Sequence, residues 1–178
     1  MPAYDVRDYH ETDVAAPVAD AYAALRSLDL SRSLVIRAIF AVRTLPSRLR
    51  GKPSGSPIGP FLDQALAMGW VILEELPGEE LVAGAVTAPW EPIIAFRGLP
   101  PDQFRGFNEP GFAKIVWGIA ARPRDAQSST ISTETRVQTT DAESRRKFAR
   151  YWFVLGVGIR LIRWAALRLV KHDLARSA

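Results

Sequence analysis

The chain has no cysteine and only two histidines, His10 and His172, among its 178 residues. Thiol nucleophiles, redox pairs, Cys-ligated zinc and iron-sulfur centres are thereby excluded, and so is a multi-histidine metal site. No metal or other cofactor is expected. Long apolar runs are also missing. The longest, Tyr151 to Ile159, ends at Arg160, well short of the ~20 residues that cross a bilayer. The glycines do not form a phosphate loop: Gly51, Gly55 and Gly59 are interrupted by Pro53, Pro57 and Pro60, without a GKS/T ending or GxGxxG spacing. One serviceable histidine and no nucleophile-elbow motif leave no basis for a Ser-His-acid triad.

What is present is ordinary for one soluble domain spanning 1–178: 48% hydrophobic and 24% charged residues. A chain of this length buries roughly 70% of the surface its unfolded form exposes, so it needs neither disulfides nor a structural metal. The opening MPAYDVRDYHETD is polar and acidic. It predicts no secretion or transit signal and a cytoplasmic location. The net charge of +4 is unevenly spread: residues 31–52 hold six bases and no acid (Arg32, Arg37, Arg43, Arg48, Arg50, Lys52), and residues 143–178 hold nine bases against Glu143 and Asp173. Brought together, these segments form a basic face suited to phosphates or an anionic surface; left apart, they are solvated Arg-rich helix faces.

Tyr4 to Val14 reads as an opening strand whose alternation places Tyr4, Val6, Asp8, His10, Thr12 and Val14 on one face. The other face, Asp5, Arg7, Tyr9, Glu11 and Asp13, is wetter, so His10 is expected to point inward. Pro17 opens a short helix with Val18, Tyr22 and Leu25 on its apolar side, and a second helix is expected from about Ser31 to Thr44, stopped by Pro46. GKPSGSPIGP, 51–60, is a loop within the domain. Extended segments follow at Gly69–Leu76, Glu80–Thr87, Pro92–Arg97, Phe112–Ala121 and Ser129–Thr139, joined by turns that favour antiparallel hairpins. From Asp141 to about Leu174 runs one long helix, capped by Thr140 or Asp141. Its apolar stripe comprises Phe148, Tyr151, Trp152, Leu155, Ile159, Ile162, Ala166, Leu169 and Val170. The opposite face mixes Arg160, Arg168 and Lys171 with Phe153, Val157, Leu161 and Trp164, too apolar for a purely solvated surface, and Gly156 and Gly158 permit a bend or a close approach.

This order of elements resembles the START-like, or SRPBCC, helix-grip superfamily over nearly the whole chain. The residues that carry the resemblance are the strand-to-helix joint DVAAPVADAYAALRSLDL at 13–30, the strand STETRV at 132–137 and FARYW at 148–152. They look most like a bacterial branch of that polyketide cyclase-dehydratase-like superfamily. The resemblance implies an α+β fold in which a curved antiparallel sheet wraps around the long C-terminal helix and encloses an apolar cavity. It implies binding or transport of a hydrophobic small molecule or lipid there, or else a cyclase- or dehydratase-like reaction.

Under that reading Trp70, Trp90, Phe96, Phe112, Trp117 and Trp152 either line the cavity or simply fill the core. The segment GLPPDQFRGFNEPG, 98–111, suits a lid. His10 is either an acid or base or a hydrogen-bonded core histidine. Glu134 and Arg136, two residues apart on one strand face, offer an acid or base beside an anion anchor. Their companions Ser132 and Gln138 favour a solvated pair instead. The outer face of the last helix, with Arg160, Trp164, Arg168 and Lys171, is a candidate contact with an anionic membrane or a second copy of the chain. Nucleic acid is disfavoured, because the bases are present without the aromatic-and-basic strand face expected of a single-strand binder.

Overall fold

The computed structural model describes residues 1–33, 59–92 and 94–177. Of the helix expected at 31–44, residues 34–44 lie outside the described residues, as does most of the 51–60 loop, while Ser31 and Arg32 belong to a 3-10 turn and Ser33 is extended. In chain order the elements are β1 (Val6–Val14), α1 (Val18–Arg26), a 3-10 turn (Leu30–Arg32), α2 (Phe61–Ala67), β2 (Val71–Leu76), β3 (Glu80–Thr87), α3 (Pro101–Gly106), β4 (Ala113–Pro123), β5 (Ser129–Thr139) and α4 (Ala142–Ser177). The five strands form one antiparallel sheet in the order β1-β5-β4-β3-β2, so β1 and β2 are its edges. With a long C-terminal helix laid on one face of that sheet, the architecture is helix-grip.

Period-two alternation decides which side chains meet that helix. On β5, Ser129, Ile131, Thr133, Thr135, Val137 and Thr139 are buried while the residues between them are half-buried. Pairing carries this inner face across the sheet: Asp8, Thr135, Trp117, Ala83 and Ile72 form one row of cross-strand neighbours. Helices α1 and α4 cover the inner face. Tyr22 and Leu25 of α1, Leu167 and Val170 of α4, and Leu81, Ile119 and Ile131 of the sheet form the main core. Inside it the Tyr22 hydroxyl donates to Glu75 at 2.9 Å, and burial together with that carboxylate pushes its pKa up to about 12.

The opposite face is covered too. Phe104 of α3, with Leu99 and Phe107, packs on Val86, Val116 and Leu73. Segment 98–111 is therefore no lid over the helix side: it seals the back of the sheet, where these side chains find an apolar surface to bury. Its helix escapes notice in the sequence because Pro100 and Pro101 read as loop, although proline suits the first turn of a helix. The strand expected at Pro92–Arg97 is reduced to one bridge, in which Val86 and Arg97 exchange hydrogen bonds of 2.9 and 2.8 Å. Pro92 has no N–H to offer a ladder.

Helix α4 begins at a strong cap. The Asp141 carboxylate accepts from the backbone N–H groups of Glu143 and Ser144, both at 2.8 Å, from the Ser144 hydroxyl at 2.6 Å and from Gly111 N–H at 2.7 Å. The Ser144 hydroxyl bond and these N–H donors hold the carboxyl well below the usual range. Gly156 in mid-helix serves a close approach: a Cβ there would lie 3.1 Å from the Trp152 Nε1 that folds over it.

Gly69 matters at the start of β2, because its φ is +99° and a Cβ would fall 2.7 Å from the Phe96 carbonyl oxygen. Both effects act against any side chain. A Gly69→Ala variant is expected to lose about 1–3 kcal/mol of stability, read as a lower urea midpoint at unchanged m-value; an unchanged midpoint would show that this turn has another conformation open to it.

Candidate functional site

The inner face of an edge strand should be apolar, and β1 breaks that rule at Asp8 and His10. Helix α4 answers with Arg163, which lies in the middle of its buried stripe. Asp8 and Arg163 are 8% and 9% exposed, with Arg163 Nε 3.1 Å from Asp8 Oδ2. Arg163 Nη1 also donates to the Asp8 carbonyl at 3.2 Å, and Nη2 donates to the Thr135 hydroxyl on β5. The guanidinium thus ties the helix to both β1 and β5. Burial pushes its pKa down, and the Asp8 carboxylate and, more weakly, Glu134 oppose that.

His10 extends the same cluster, its Nε2 lying 3.3 Å from Asp8 Oδ1, and Arg160 Nε approaches the same oxygen at 3.9 Å. One carboxylate therefore faces three groups able to carry positive charge. Asp8 Oδ2, His10 Nε2 and Arg163 Nε are buried atoms without a well-aligned hydrogen bond. The cluster is held by charge more than by directed bonds, and burying it depends on every partner remaining in place.

Beside this cluster a groove of about 350 Å³ opens between β1 and the C-terminal half of α4. His10, Glu11 and Thr12 form one wall; Trp164, Leu167, Arg168 and Lys171 form the other. Leu167 is buried at its base, and Arg168 stacks over the Trp164 ring, 4.4 Å from its centre. The groove is apolar at its base, and its rim carries two cations, Arg168 and Lys171, on the α4 side and the Glu11 carboxylate on the β1 side. Such a surface accepts an amphipathic molecule with its polar end outward.

The structure separates the residues that the sequence suggested. His10 faces inward and reaches the groove. Glu134 and Arg136 lie on the other face of β5, where Glu134 accepts from Arg136 Nε at 2.6 Å and from Arg7 Nε at 2.5 Å. Burial opposes ionisation of Glu134, but the hydrogen bonds from Arg136 and Arg7 outweigh it and hold the carboxyl below its ordinary 4.5. Phe112 packs against Phe107 on the back of the sheet, ring centres 5.7 Å apart, which removes it from any wall between sheet and α4. Trp70 and Phe96 meet at 5.6 Å beside β2, four strand spacings from the groove, or roughly 19 Å. Trp90 and Trp152 pack with Phe148 on the inner face near the start of α4. Trp117, central on that face, donates from Nε1 to Thr133 at 3.0 Å and meets the Phe61 ring edge-on at 4.9 Å. Arg160, Trp164, Arg168 and Lys171 are all exposed on the outward side of α4. Among the described residues no three His, Asp or Glu side chains are grouped to hold a metal, and no helix is long and apolar enough to cross a membrane.

Asp8, Arg163 and Leu167 were not singled out in the sequence as site residues; Lys171 was, but only for the outer face of the helix and not for a groove. A signal was present: opposite charges sit at Asp8 and Arg163, each inside a pattern that the alternation or the helical period assigns to the core.

No protein-family model and no curated protein sequence matches the chain. Among solved structures, a solution structure from Thermobifida fusca is similar at 15% identity and a TM-score of 0.40, over 90% of this chain and 89% of that one. A conserved protein from Geobacillus kaustophilus is similar at 12% identity and 0.37, over 97% of both chains. The Zhui aromatase/cyclase from a Streptomyces species is similar at 16% identity and 0.33, over 96% of this chain and 94% of that one. Overlaps this loose carry no argument about activity. The helix-grip architecture rests on the chain's own strands and helix.

Two measurements check the electrostatics. Arg163→Met leaves Asp8 buried without its partner and is expected to cost about 3–5 kcal/mol, whereas Asp8→Leu with Arg163→Met recovers most of the loss; a double-variant loss equal to the sum of the Asp8→Leu and Arg163→Met losses in denaturant titrations would mean that the pair is not coupled. The depressed Glu134 carboxyl contributes stability that is fully present above pH 4.5 and lost as pH falls through its lower folded value. Glu134→Gln should therefore give a shallower fall of stability with acid, and an unchanged slope would show that this ion pair is not a source of acid sensitivity.

Proposed function

We propose that the chain is a single-domain cytoplasmic protein that binds a hydrophobic small molecule or lipid bearing one anionic group, in the groove between β1 and α4. The observation that carries this reading is the groove itself, with Leu167 at its base, the Trp164 ring on one wall and two cations, Arg168 and Lys171, at its rim. An acyl or aromatic body gains the buried apolar contact, and a carboxylate or phosphate oxygen takes the charge-assisted hydrogen bonds. Trp90, Trp117 and Trp152 share the inner face and are the side chains we assign to an apolar extension of the site. Trp70 and Phe96, at the far edge, take a packing role in this reading.

The alternative of a cyclase- or dehydratase-like enzyme draws support only from His10, the one histidine at the groove. Glu134 faces away and is held ionised, so it is a poor proton donor for a substrate in the groove, and Arg136 is engaged with it. Binding without turnover is the reading the geometry favours.

Native mass spectrometry of the purified protein, followed by organic extraction after denaturation, should show a retained mass released on unfolding. With palmitate as probe, Arg168→Glu and Lys171→Glu together are expected to weaken binding by about tenfold or more; hexadecanol, of equal length and no charge, should be affected far less. Equal loss for both probes would remove the anionic clamp, and no binding of either would remove the groove as a site. His10→Ala separates carrier from enzyme: binding kept with a turnover lost would favour the enzyme.

A further inference from the structure

The outward face of α4 stands apart from the rest of the described surface. Phe153 is 86% exposed, Val154 72%, Val157 63%, Trp164 48% and Leu161 46%. At 100° per residue these five side chains fall in one sector, turned away from the stripe that holds Phe148, Arg163 and Val170 against the sheet. With a rise of 1.5 Å per residue the apolar block is ~17 Å long. Isolated exposed apolar residues need no explanation, but five contiguous ones on a helix mark a contact surface.

Charge identifies the contact. Arg146 and Arg150 precede the apolar block in the same sector, and Arg168 and Lys171 follow it. From Ser144 to His172 there is no acidic residue. Arg145 and Lys147 are engaged by Asp5 at 2.8 Å and Glu143 at 3.0 Å, and Arg160 leans toward Asp8. Arg146, Arg150, Arg168 and Lys171 have no ion-pair partner among the described residues. A second copy laid on this face, parallel or antiparallel, would bring cations against cations, which disfavours a dimer. A surface that is negative at the polar level and apolar beneath satisfies both the rim and the block.

We propose that α4 docks outward face down on an anionic membrane, lying in the plane of the interface with Phe153, Val157 and Leu161 inserted and Arg146, Arg150, Arg168 and Lys171 against the headgroups. Arg168 and Lys171 are shared with the groove rim, whereas Arg146, Arg150, Phe153 and Val157 lie outside the groove and carry the part of the proposal that does not depend on what the groove binds. Its geometry has one further consequence: Trp164, Arg168 and Lys171 border both the docking face and the groove, so a docked molecule turns the groove mouth toward the lipid.

The test uses the full chain in flotation with phosphatidylserine–phosphatidylcholine vesicles and with pure phosphatidylcholine vesicles, at low and high salt. Two double variants avoid the groove: Phe153→Ser with Val157→Ser, and Arg146→Glu with Arg150→Glu. Their far-ultraviolet dichroism and thermal melts should match the parent, because all four side chains are exposed. The parent is expected to float with the anionic vesicles at low salt and to be released by high salt, and each double variant should bind about tenfold more weakly or less. Flotation equal on both vesicle types, or absent from both, overturns the proposal. So does sedimentation equilibrium showing a dimer that Phe153→Ser with Val157→Ser dissociates, which would assign the face to a second copy. Retention of palmitate by the same variants keeps a failure here distinct from a failure of the groove reading.

Discussion

The Asp8–Arg163 pair is the constraint on which the arrangement of helix and sheet depends. A long amphipathic helix laid on a sheet has many near-equivalent positions, because leucine-like side chains slide over one another at little cost. An arginine buried among them does not. It must meet its carboxylate, and here that carboxylate is on an edge strand while the same guanidinium reaches Thr135 on the next strand. Sliding α4 by one turn, about 5.4 Å, would leave two buried charges unpaired. The pair contributes specificity of position more than net stability.

That position in turn decides what the two sides of α4 are free to do. Because Arg163 anchors the helix over β1 and β5, its C-terminal half runs along the sheet edge, where no further strand follows β1 among the described residues. The groove exists because an edge was left open and a helix was held beside it. The same anchoring turns Phe153, Val157 and Trp164 outward. Had α4 been rotated to bury these larger side chains, the Arg163 guanidinium would have faced solvent and Asp8 would have had no partner.

The back of the sheet shows a different economy. Segment 98–111 has the proline, glycine and aromatic content of a mobile loop, yet Phe104 and Phe107 bury themselves against Val86 and Val116. Covering the sheet on that side leaves Glu134 and Arg136 on the part that α3 does not reach, half-buried and paired to each other and to Arg7. A carboxylate so paired is electrostatically satisfied, which is the opposite of what acid-base catalysis asks of it.

The elements were legible where one local rule dominated. The turn at Leu76–Gly78 that sets off Glu80–Thr87, period-two alternation in Ser129–Thr139, helical periodicity from Asp141 onward and a proline at the head of α1 were each enough, because turn chemistry and burial on one face leave those patterns in the chain itself. Composition alone also disposed of thiol chemistry. Local rules failed where two of them conflicted: proline-rich 98–111 hid a helix, and the apolar run that opens at Pro92, which has no N–H for a ladder, pairs among the described residues only where Arg97 meets Val86. The site was less legible still. Which residues face inward can be read from a sequence, but which inward residues face each other depends on strand order and on the rotation of one helix over another, and those follow from long-range packing. Asp8 and Arg163 are 155 residues apart along the chain. The sequence determined that Asp8 lies on the inward face of its strand; only the tertiary structure decided that Arg163 would be buried against it, since the desolvation of one charge is tolerable only where the fold supplies the other.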